Sequence, residues 1–471
     1  MSSPVTLRRV LKFRTVVSTS TGLAYAAISF LGCVQLAYYL AGDSAWIAIL
    51  ISGLLAVLAA LCFSELNALY PTAAAIRLYM KEAFNDNFSL VITFGYLLTV
   101  VAAIAADSYI VGQAITYTLG LPNWASLIWI LALLGLAMGA NLRGIKIAGW
   151  LQDITTYALL AIAIIVSLIA LGEHHFALRT PFAALGDPFN LLNAVAVGVF
   201  VFSAFEWVTP LSEEISDIRL IPRGMFIALG LLFISYALFT VAASSTLNVH
   251  SAAVANSAVP QLLLSQAILG QAGLWIMLIA TLLTAVMTFN GGFATASRFL
   301  YAAAREDTLP AAFARISIAR AVPYVAVISL TVLSAAIGVL IFATGQFQIL
   351  ILVGAVLEGL IYTIAGLCVI RLRRRQPDAA RSFRIAGGLI IPVATIVIFG
   401  ILAILASLIT GSSGLMTGTP LIVTLVIFAL STLYVYLGVP RIRAAAAARR
   451  ATTRRRRPGK QPAQQEEIIN E

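Results

Sequence analysis

The sequence predicts an all-α polytopic membrane protein with 12 transmembrane helices: a five-plus-five inverted repeat with broken helices 1 and 6, followed by two C-terminal helices. Three observations predict this fold. Of the 471 residues, 61% are apolar and only 10% are charged, whereas about 25% of an ordinary soluble domain is charged. Nearly all basic residues fall in alternate connections between the apolar segments. Polar, helix-weakening sequence interrupts the first and the sixth segments.

Twelve apolar segments follow one another with short connections, and each is long enough for a helix of about 20 residues to span a bilayer. They cover about residues 15–40, 45–68, 89–119, 124–140, 149–171, 191–211, 224–247, 262–302, 323–343, 348–370, 389–410 and 419–438. No connection is long enough for a sizeable soluble domain. The net charge of +11 therefore does not indicate a nucleic-acid-binding module.

The placement of Lys and Arg tests this count. If the N-terminus is cytoplasmic, all 30 basic residues except Arg179 fall in the N-terminus, in cytoplasmic connections or in the C-terminal tail. Basic residues concentrate on the cytoplasmic side of membrane proteins. We therefore predict an even number of spans with both termini cytoplasmic, in the cell inner (plasma) membrane.

Two breaks stand at matching positions of the two predicted repeats. Span one contains Ser18, Thr19, Ser20, Thr21 and Gly22, whose hydroxyls can satisfy freed backbone groups. In span six the corresponding stretch is residues 203–210. Its last residue, Pro210, removes a backbone donor. Broken helices at corresponding positions of inverted repeats indicate the substrate site of a secondary transporter. Taken alone, either break would be explained by helix packing or by a simple kink.

These breaks define the predicted organisation. A cytoplasmic N-terminus covers residues 1–14, and a transporter domain covers residues 15–438. Within that domain, repeat one covers about 15–171, repeat two about 191–370, and helices 11 and 12 about 389–438. Residues 439–471 form a basic tail, expected to be disordered, whose arginines favour anionic lipids.

Three acids lie well inside apolar spans: Asp107, Glu206 and Glu358 in spans three, six and ten. No Lys or Arg lies deep in any span to pair with them, and an unpaired carboxylate inside a bilayer is costly. We expect them to bind protons or a cationic substrate. Glu65 and Asp153 lie near the cytoplasmic ends of spans, where salt bridges are the simpler explanation.

Aromatic residues cluster near the second break. Phe200, Phe202 and Trp207 flank Ala204 and Glu206 in span six. Most aromatic residues in spans simply pack, but one or two beside a broken helix can cover a bound amine through cation–π contact. We include these three, and Ala204, among the candidate substrate-binding residues.

Four stretches of the chain resemble the amino acid/polyamine/organocation permease family, and the resemblance covers roughly residues 12–440. They are Phe63-Ser64-Glu65-Leu66 with Tyr70-Pro71 and residues 79–84; Asn141-Leu142-Arg143-Gly144-Ile145-Lys146; Ser212-Glu213-Glu214 with Arg219 and residues 221–224; and residues 296–307 followed by Leu309-Pro310. The resemblance implies that substrate binds between broken helices 1 and 6 and helices 3, 8 and 10.

The resemblance also shows two departures at these breaks. The Gly-Ser-Gly of the family aligns with Ser20-Thr21-Gly22, and its Gly-x-Glu aligns with Ala204-Phe205-Glu206, so one glycine is lost at each break. Glu206 matches the glutamate that serves pH response or amine binding in the arginine–agmatine and putrescine–ornithine antiporters. Side chains in place of glycine limit close approach to the backbone, which fits a site where hydroxyls and acids bind the solute.

We predict a secondary active transporter for amino acids or related amines. A cationic amine such as a polyamine or basic amino acid is favoured, with Glu206 or Asp107 coupling transport to protons or with exchange of solutes. A neutral or aromatic amino acid permease, in which Glu206 binds only the proton, is the alternative. Sodium coupling is less favoured and would use Ala294, Thr295 and Ser297.

A nutrient receptor that binds without transporting is the alternative from another class. An enzyme is not expected, because the cytoplasmic segments contain no nucleophile–base pair, metal-ligand cluster or phosphate loop. No cofactor, metal or nucleic acid is expected as a partner. The exact substrate, the direction of transport and the oligomeric state stay open.

Overall fold

The structure is a computed structural model, which describes residues 9–39, 45–173, 188–249, 251–255, 257–408 and 418–455. Its helices are α1 (Phe13–Ala24), α2 (Ala27–Tyr39), α3 (Ala45–Leu69), α4 (Ile76–Ala83), α5 (Asp86–Thr118), α6 (Ala125–Leu142), α7 (Ile145–Glu173), α8 (Pro188–Val201), α9 (Leu220–Thr246), α10 (Ala252–Ala255), α11 (Pro260–Arg305), α12 (Tyr324–Thr344), α13 (Phe347–Arg375), α14 (Ile390–Leu408), α15 (Thr419–Leu433) and α16 (Val439–Arg455). Short 3₁₀ helices cover Phe205–Leu211 and Ala311–Ala314, and one π-helical turn covers Tyr434–Gly438. Arg179 of the charge pattern lies outside the described residues.

The described helices confirm the 12 predicted spans. Eleven are long and apolar enough to cross a membrane, and α1 with α2 forms a further span bent by 54°. Large apolar side chains such as Leu136, Trp150 and Ile404 are more than half exposed on the outside of the bundle. This exterior suits a hydrocarbon environment, because helices satisfy their own backbone hydrogen bonds there. The symmetry between the two halves stays a prediction.

The break in span one lies later than the sequence predicts. Residues 18–22 are helical, α1 continues to Ala24, and the interruption is at Tyr25 and Ala26. The Thr21 hydroxyl does not break the helix because it bonds within it: Thr21 Oγ1 donates to the Val17 carbonyl at 2.8 Å. The expected break at Ser18–Gly22 is therefore wrong by a few residues.

The break in span six lies where the sequence predicts it. The helix α8 ends at Val201, and the chain resumes as the 3₁₀ helix of Phe205–Leu211, which contains Pro210. Ala204 has the left-handed conformation, with φ of 74°. This geometry explains why the aligned position of the family is glycine, since a Cβ atom is disfavoured there.

Long helices enclose both breaks. The helix α5 contacts α2, and α13 contacts α8. The helix α11 contacts α1, α2 and the 3₁₀ helix of span six, and the two broken spans also contact each other. The helices α5, α11 and α13 are spans three, eight and ten, the spans that the family resemblance implies around the substrate.

Ion pairs gather at the end of the bundle where α1 begins, which we call the N-terminal face. Asp153 pairs with Arg14, and Glu65 pairs with Arg373 and Arg381, so both acids form the predicted salt bridges. At the same face, Arg298 of α11 pairs with Glu214 just after span six at 2.9 Å, and both side chains are buried. The pairs of Asp153 and Glu214 tie the two broken spans to α7 and α11, and the pair of Glu65 with Arg373 ties α3 to α13.

The C-terminal tail departs from its prediction. Residues 439–455 are helical as α16, not disordered, because alanine and arginine are strong helix formers. The helix lies against the N-terminal face, where Arg443 pairs with Asp86 and Arg450 pairs with Asp307. Residues 456–471 lie outside the described part of the chain.

Candidate functional site

Two of the predicted acids meet at the break in span six. Glu206 begins the 3₁₀ helix, Glu358 comes from α13, and both are buried. The hydroxyl of Tyr96 on α5 donates to Glu206 Oε1 and lies 3.2 Å from Glu358 Oε2. Tyr362 donates to Glu206 Oε2 at 2.9 Å. We call these four residues the acid–tyrosine cluster.

The hydrogen bonds of this cluster require a proton beyond those of the phenols. Tyr96 has one hydroxyl proton but contacts oxygens of both carboxyl groups. It can donate to only one of them, so the other contact is a hydrogen bond only if that carboxyl is protonated. No described Lys or Arg pairs with Glu206 or Glu358. The cluster can therefore hold an exchangeable proton or a cation.

A small cavity opens beside the cluster, with space for about one water molecule. The ring of Trp207 lies on that of Tyr96, with centroids 4.8 Å apart. Its Nε1 is buried and has no hydrogen-bond partner among the described residues. The cavity is lined by Phe63, Ala75, Ile76, Tyr96, Glu206, Trp207, Thr209, Pro210 and Phe299. A cavity of this size holds a water molecule but no larger solute in the described conformation.

The other two predicted aromatic residues point elsewhere. The ring of Phe202 is fully buried and packs edge-on against Tyr236, with centroids 5.4 Å apart. The half-buried Phe200 lies against Gly354, where an added Cβ would come within 2.8 Å of its ring. The geometry thus brings Trp207, and neither phenylalanine, into contact with the acid–tyrosine cluster.

Asp107 lies at the other break. Its side chain is fully buried, and its Oδ1 accepts a hydrogen bond of 3.0 Å from the Ile28 amide at the start of α2. Thr288 and the Ala27 amide also approach this carboxyl group. Asp107 follows Tyr96 by eleven residues on α5, which separates them by about 16 Å along the helix axis. The three buried acids therefore form two separate sites.

Two hydroxyls of the first span are engaged within the protein. Ser18 Oγ donates to Asp153 Oδ1 at 2.5 Å, which joins α1 to α7 near the N-terminal face. Thr21 bonds to its own helix. These contacts give both residues structural partners in the described conformation.

The remaining residues of this stretch differ in their surroundings. Thr19 lines a second small cavity with Gln152 of α7, whereas the buried Ser20 hydroxyl has no hydrogen-bond partner in the described structure. Gly22 lies so close to α7 that an added Cβ would be 2.1 Å from Gln152 Nε2. Gly22 therefore allows two helices to pack, and the Ser20 hydroxyl is buried without a partner in the described structure.

The residues considered for sodium also bond to their own helix. Thr295 Oγ1 donates to the Gly291 carbonyl at 3.0 Å, and Ser297 Oγ donates to the Ala294 carbonyl at 3.2 Å. No group of three or more His, Cys, Asp or Glu side chains forms a metal site among the described residues. The acids at the two breaks are the stronger candidates for binding a cation.

Sequence reasoning missed the tyrosines of the site. Tyr96 and Tyr362 donate to the carboxyl group of Glu206 in span six, and Tyr236 donates to the Ala24 carbonyl at the end of α1. Each lies within an apolar span, where its hydroxyl needs a partner. A tyrosine inside a predicted span, in a protein whose spans also contain acids, indicates that its hydroxyl can bond to one of those acids.

Comparisons with known proteins agree with this architecture. Residues 11–431 match the family model described as amino acid permease. Over 372 residues, the chain is 27% identical to the large neutral amino acids transporter small subunit 2 of Oryctolagus cuniculus, covering 75% of this chain and 67% of that protein. It is 26% identical to the human Asc-type amino acid transporter 1, covering 75% of this chain and 69% of that protein.

Solved structures share the fold at low sequence identity. A manganese transporter of Eremococcus coleocola superposes with a TM-score of 0.62 and 13% identity, covering 91% of this chain and 95% of that one. A Na⁺-coupled sialic acid symporter superposes with a TM-score of 0.56 and 13% identity, covering 86% and 92%. These two likenesses show the helical architecture alone.

Proposed function

Because the chain belongs to the amino acid permease family, within the amino acid/polyamine/organocation superfamily, we propose that it is a secondary active transporter of an amine-bearing solute. The solute is an amino acid or a related amine, and a cationic amine is favoured. Transport proceeds by alternating access, in which the broken spans move against the surrounding helices.

The acid–tyrosine cluster is the observation that carries this proposal. Glu206 and Glu358 share Tyr96 and have no basic partner in the described structure. A substrate ammonium or a proton can neutralise this pair, and the two compete for it. Binding of one therefore favours release of the other, which couples amine movement to protons or to exchange with a second amine.

Trp207 and the small cavity beside it support the same function. The indole lies beside Glu206 and covers Tyr96, so an amine that enters the cluster meets an aromatic face as well as carboxyl oxygens. The cavity has to widen to admit a solute, which the movement of span six provides. Ser20, whose buried hydroxyl is free, is the residue of the first span best placed to gain a partner on binding.

The ion pairs of the N-terminal face form the gate in this proposal. We infer that this face is cytoplasmic, that both termini lie there and that the membrane is the cell inner membrane. The pairs of Arg14 with Asp153 and Arg298 with Glu214 join the broken spans to α7 and α11, and they separate when the transporter opens inward. The basic residues beyond Arg443 contact anionic lipids at this face.

A neutral amino acid permease is the second candidate. Two similar relatives are named as a large neutral amino acids transporter subunit and an Asc-type amino acid transporter, which favours it. In that case Glu206 binds the proton alone. The two candidates differ in whether arginine or putrescine is transported in preference to leucine.

The substitution Glu206→Gln tests the role of the cluster. Glutamine keeps the size of the side chain and one acceptor oxygen, replaces the other oxygen by an NH₂ donor, and cannot be ionised. We expect uptake of radiolabelled solute into proteoliposomes to fall at least about tenfold, which corresponds to about 1.4 kcal/mol, and the effect of a proton gradient to disappear. The panel is putrescine, arginine and leucine, each with and without an inward proton gradient.

Glu173→Gln is the matched control, because Glu173 is exposed at the end of α7. It should transport as the unmodified protein does. Wild-type uptake and gradient dependence in the Glu206→Gln protein would contradict the assignment of Glu206. Transport of leucine alone would favour the neutral candidate.

A further inference from the structure

The break in span one exposes two opposite helix ends at one point. The helix α1 ends in carbonyl groups at Ala24, and α2 begins with amide groups at Ala27. Such ends carry partial negative and positive charges, and their backbone groups need partners inside a membrane. How the chain satisfies these ends determines what a substrate can still bind.

Side chains satisfy the carbonyl end. The Ala24 carbonyl accepts a hydrogen bond of 2.8 Å from the Tyr236 hydroxyl and another of 2.8 Å from Ser29 Oγ. The Tyr25 hydroxyl is hydrogen-bonded to Ser235 Oγ at 2.8 Å, so the residue of the break is itself held by α9. The last carbonyl of α1 is therefore satisfied without a ligand.

The amide end is satisfied by a carboxylate of the chain itself. Asp107 Oδ1 accepts the Ile28 amide at 3.0 Å, and the Ala27 amide lies close to the same carboxyl group. In transporters with broken helices, the N-terminus of a half-helix points at an anionic group of the substrate. Asp107 takes that place here.

Asp107 retains an acceptor without a hydrogen bond in the described structure, although the Thr288 hydroxyl approaches its carboxyl group. Its Oδ2 is buried and makes no hydrogen bond in the described structure, and no described basic residue pairs with Asp107. A substrate carboxylate would meet a like charge and an occupied amide. A substrate ammonium would meet an opposite charge and a free oxygen, and charge-assisted hydrogen bonds of this kind are strong.

We propose that the substrates are amines that lack a carboxylate, and that Asp107 supplies the carboxylate at the first break and binds the substrate ammonium through Oδ2. This inference rests on the proposed transport function and narrows its substrate class. It leaves the acid–tyrosine cluster, about 16 Å away along α5, for the coupling proton.

Matched pairs of solutes test the inference on the unmodified protein. The pairs are agmatine and arginine, cadaverine and lysine, and 3-methylbutylamine and leucine, and the members of each pair differ only in the carboxylate. In proteoliposomes, we expect the amine of a transported pair to be taken up with a kcat/KM at least about tenfold above that of the amino acid. Equal or better uptake of the amino acids would overturn the inference and leave the transport function intact. Failure to transport any member would overturn both.

Two substitutions of Asp107 distinguish the effect of its negative charge from the effect of its hydrogen bond to the first amides of α2. In Asp107→Asn, the amide oxygen still accepts the Ile28 amide but the charge is gone, so we expect amine uptake to fall at least about tenfold with amino acids still excluded. In Asp107→Ala, the amide end is open, so the ratio of amine to amino acid uptake should fall at least about tenfold. Asp378→Asn, at an exposed position, is the matched control. An unchanged ratio in Asp107→Ala together with unchanged amine uptake in Asp107→Asn would overturn the inference.

Thermal unfolding of each purified variant with and without ligand checks that it folds. If Asp107→Ala does not fold, the solute pairs and Asp107→Asn decide the matter. Putrescine should raise the melting temperature of the unmodified protein and not that of Asp107→Asn. Equal stabilisation of both would speak against an ammonium at Oδ2.

Discussion

The two breaks interrupt their spans in similar ways but satisfy their polar groups differently. At the first break, side chains from α5 and α9 bond directly to the backbone: Asp107 to an amide and Tyr236 to a carbonyl. At the second break, the acid belongs to the broken span itself, and Glu206 bonds to the phenols of Tyr96 and Tyr362. One break is closed by backbone contacts and the other by side-chain contacts.

This difference fits two separate roles, in which one break binds the solute and the other binds the coupling ion. A carboxyl group that caps helix amides is held in one position by the helix end, so the first break presents a fixed acceptor. A carboxylate among phenols and a second carboxylate gains or loses a proton at little geometric cost. A transporter needs both properties: a constant site for the solute and a variable site for the coupling ion.

The substitution Tyr96→Phe removes the group shared by the acids of the second break, and has the largest expected effect. Without the hydroxyl, Glu206 and Glu358 each lose a contact inside the bundle. An unsatisfied buried group costs about 1–3 kcal/mol. Because these carboxyl groups hold the coupling proton in the proposed function, we expect gradient-driven uptake to fall about tenfold or more. Proteoliposome uptake with and without a proton gradient measures it.

Tyr436→Phe, at an exposed position of the last span, is the control and should not alter transport. If Tyr96→Phe retains full gradient-driven uptake, the carboxyl groups do not depend on their shared phenol. The second break would then resemble the first, with each acid acting on its own.

The fold was largely predictable because lipid imposes its pattern on the whole chain. Apolar length and the alternation of basic residues locate all 12 spans. The buried acids were also recognisable, since a carboxyl group inside an apolar span is costly. Which of these acids lie together could not be predicted. Nothing in the sequence around Glu206 indicates that Glu358 lies beside it and that Asp107 does not.

The errors have a common cause. Ser18 and Thr21 look like helix breakers, yet the Thr21 hydroxyl returns its hydrogen bond to its own helix and the Ser18 hydroxyl donates to Asp153 of α7. Tyr96 looks like a packing aromatic residue, yet its hydroxyl joins two acids. A residue that has both an apolar and a polar use can be assigned only when its neighbours from other spans are known.

A smaller effect is expected from Tyr236→Phe at the first break. The substitution removes one of two hydroxyls that bond to the Ala24 carbonyl, and Ser29 keeps the other contact. The carbonyl therefore stays partly satisfied, and we expect a loss of about 1 kcal/mol in the free energy of unfolding. Thermal unfolding of the purified protein measures it, with Tyr436→Phe again as the control. A loss as small as that of the control would mean that the Tyr236 hydroxyl does not stabilise this end of α1.

The smallest expected effect is the difference between the same substitution, alanine to glycine, made at each of the two breaks. Ala204 has φ of 74°, a conformation that costs an L-residue about 1 kcal/mol, whereas Ala27 at the start of α2 has no such conformation. Glycine relieves that strain but gives more freedom to the unfolded chain, which costs about 0.5–1 kcal/mol. We expect Ala204→Gly to be neutral or stabilising by about 0.5 kcal/mol and Ala27→Gly to be destabilising by about 0.5–1 kcal/mol. Melting temperatures of the two variants decide the order. If both substitutions destabilise equally, the left-handed turn carries no strain, and a preference for glycine at this position would require the close approach of a ligand to the backbone.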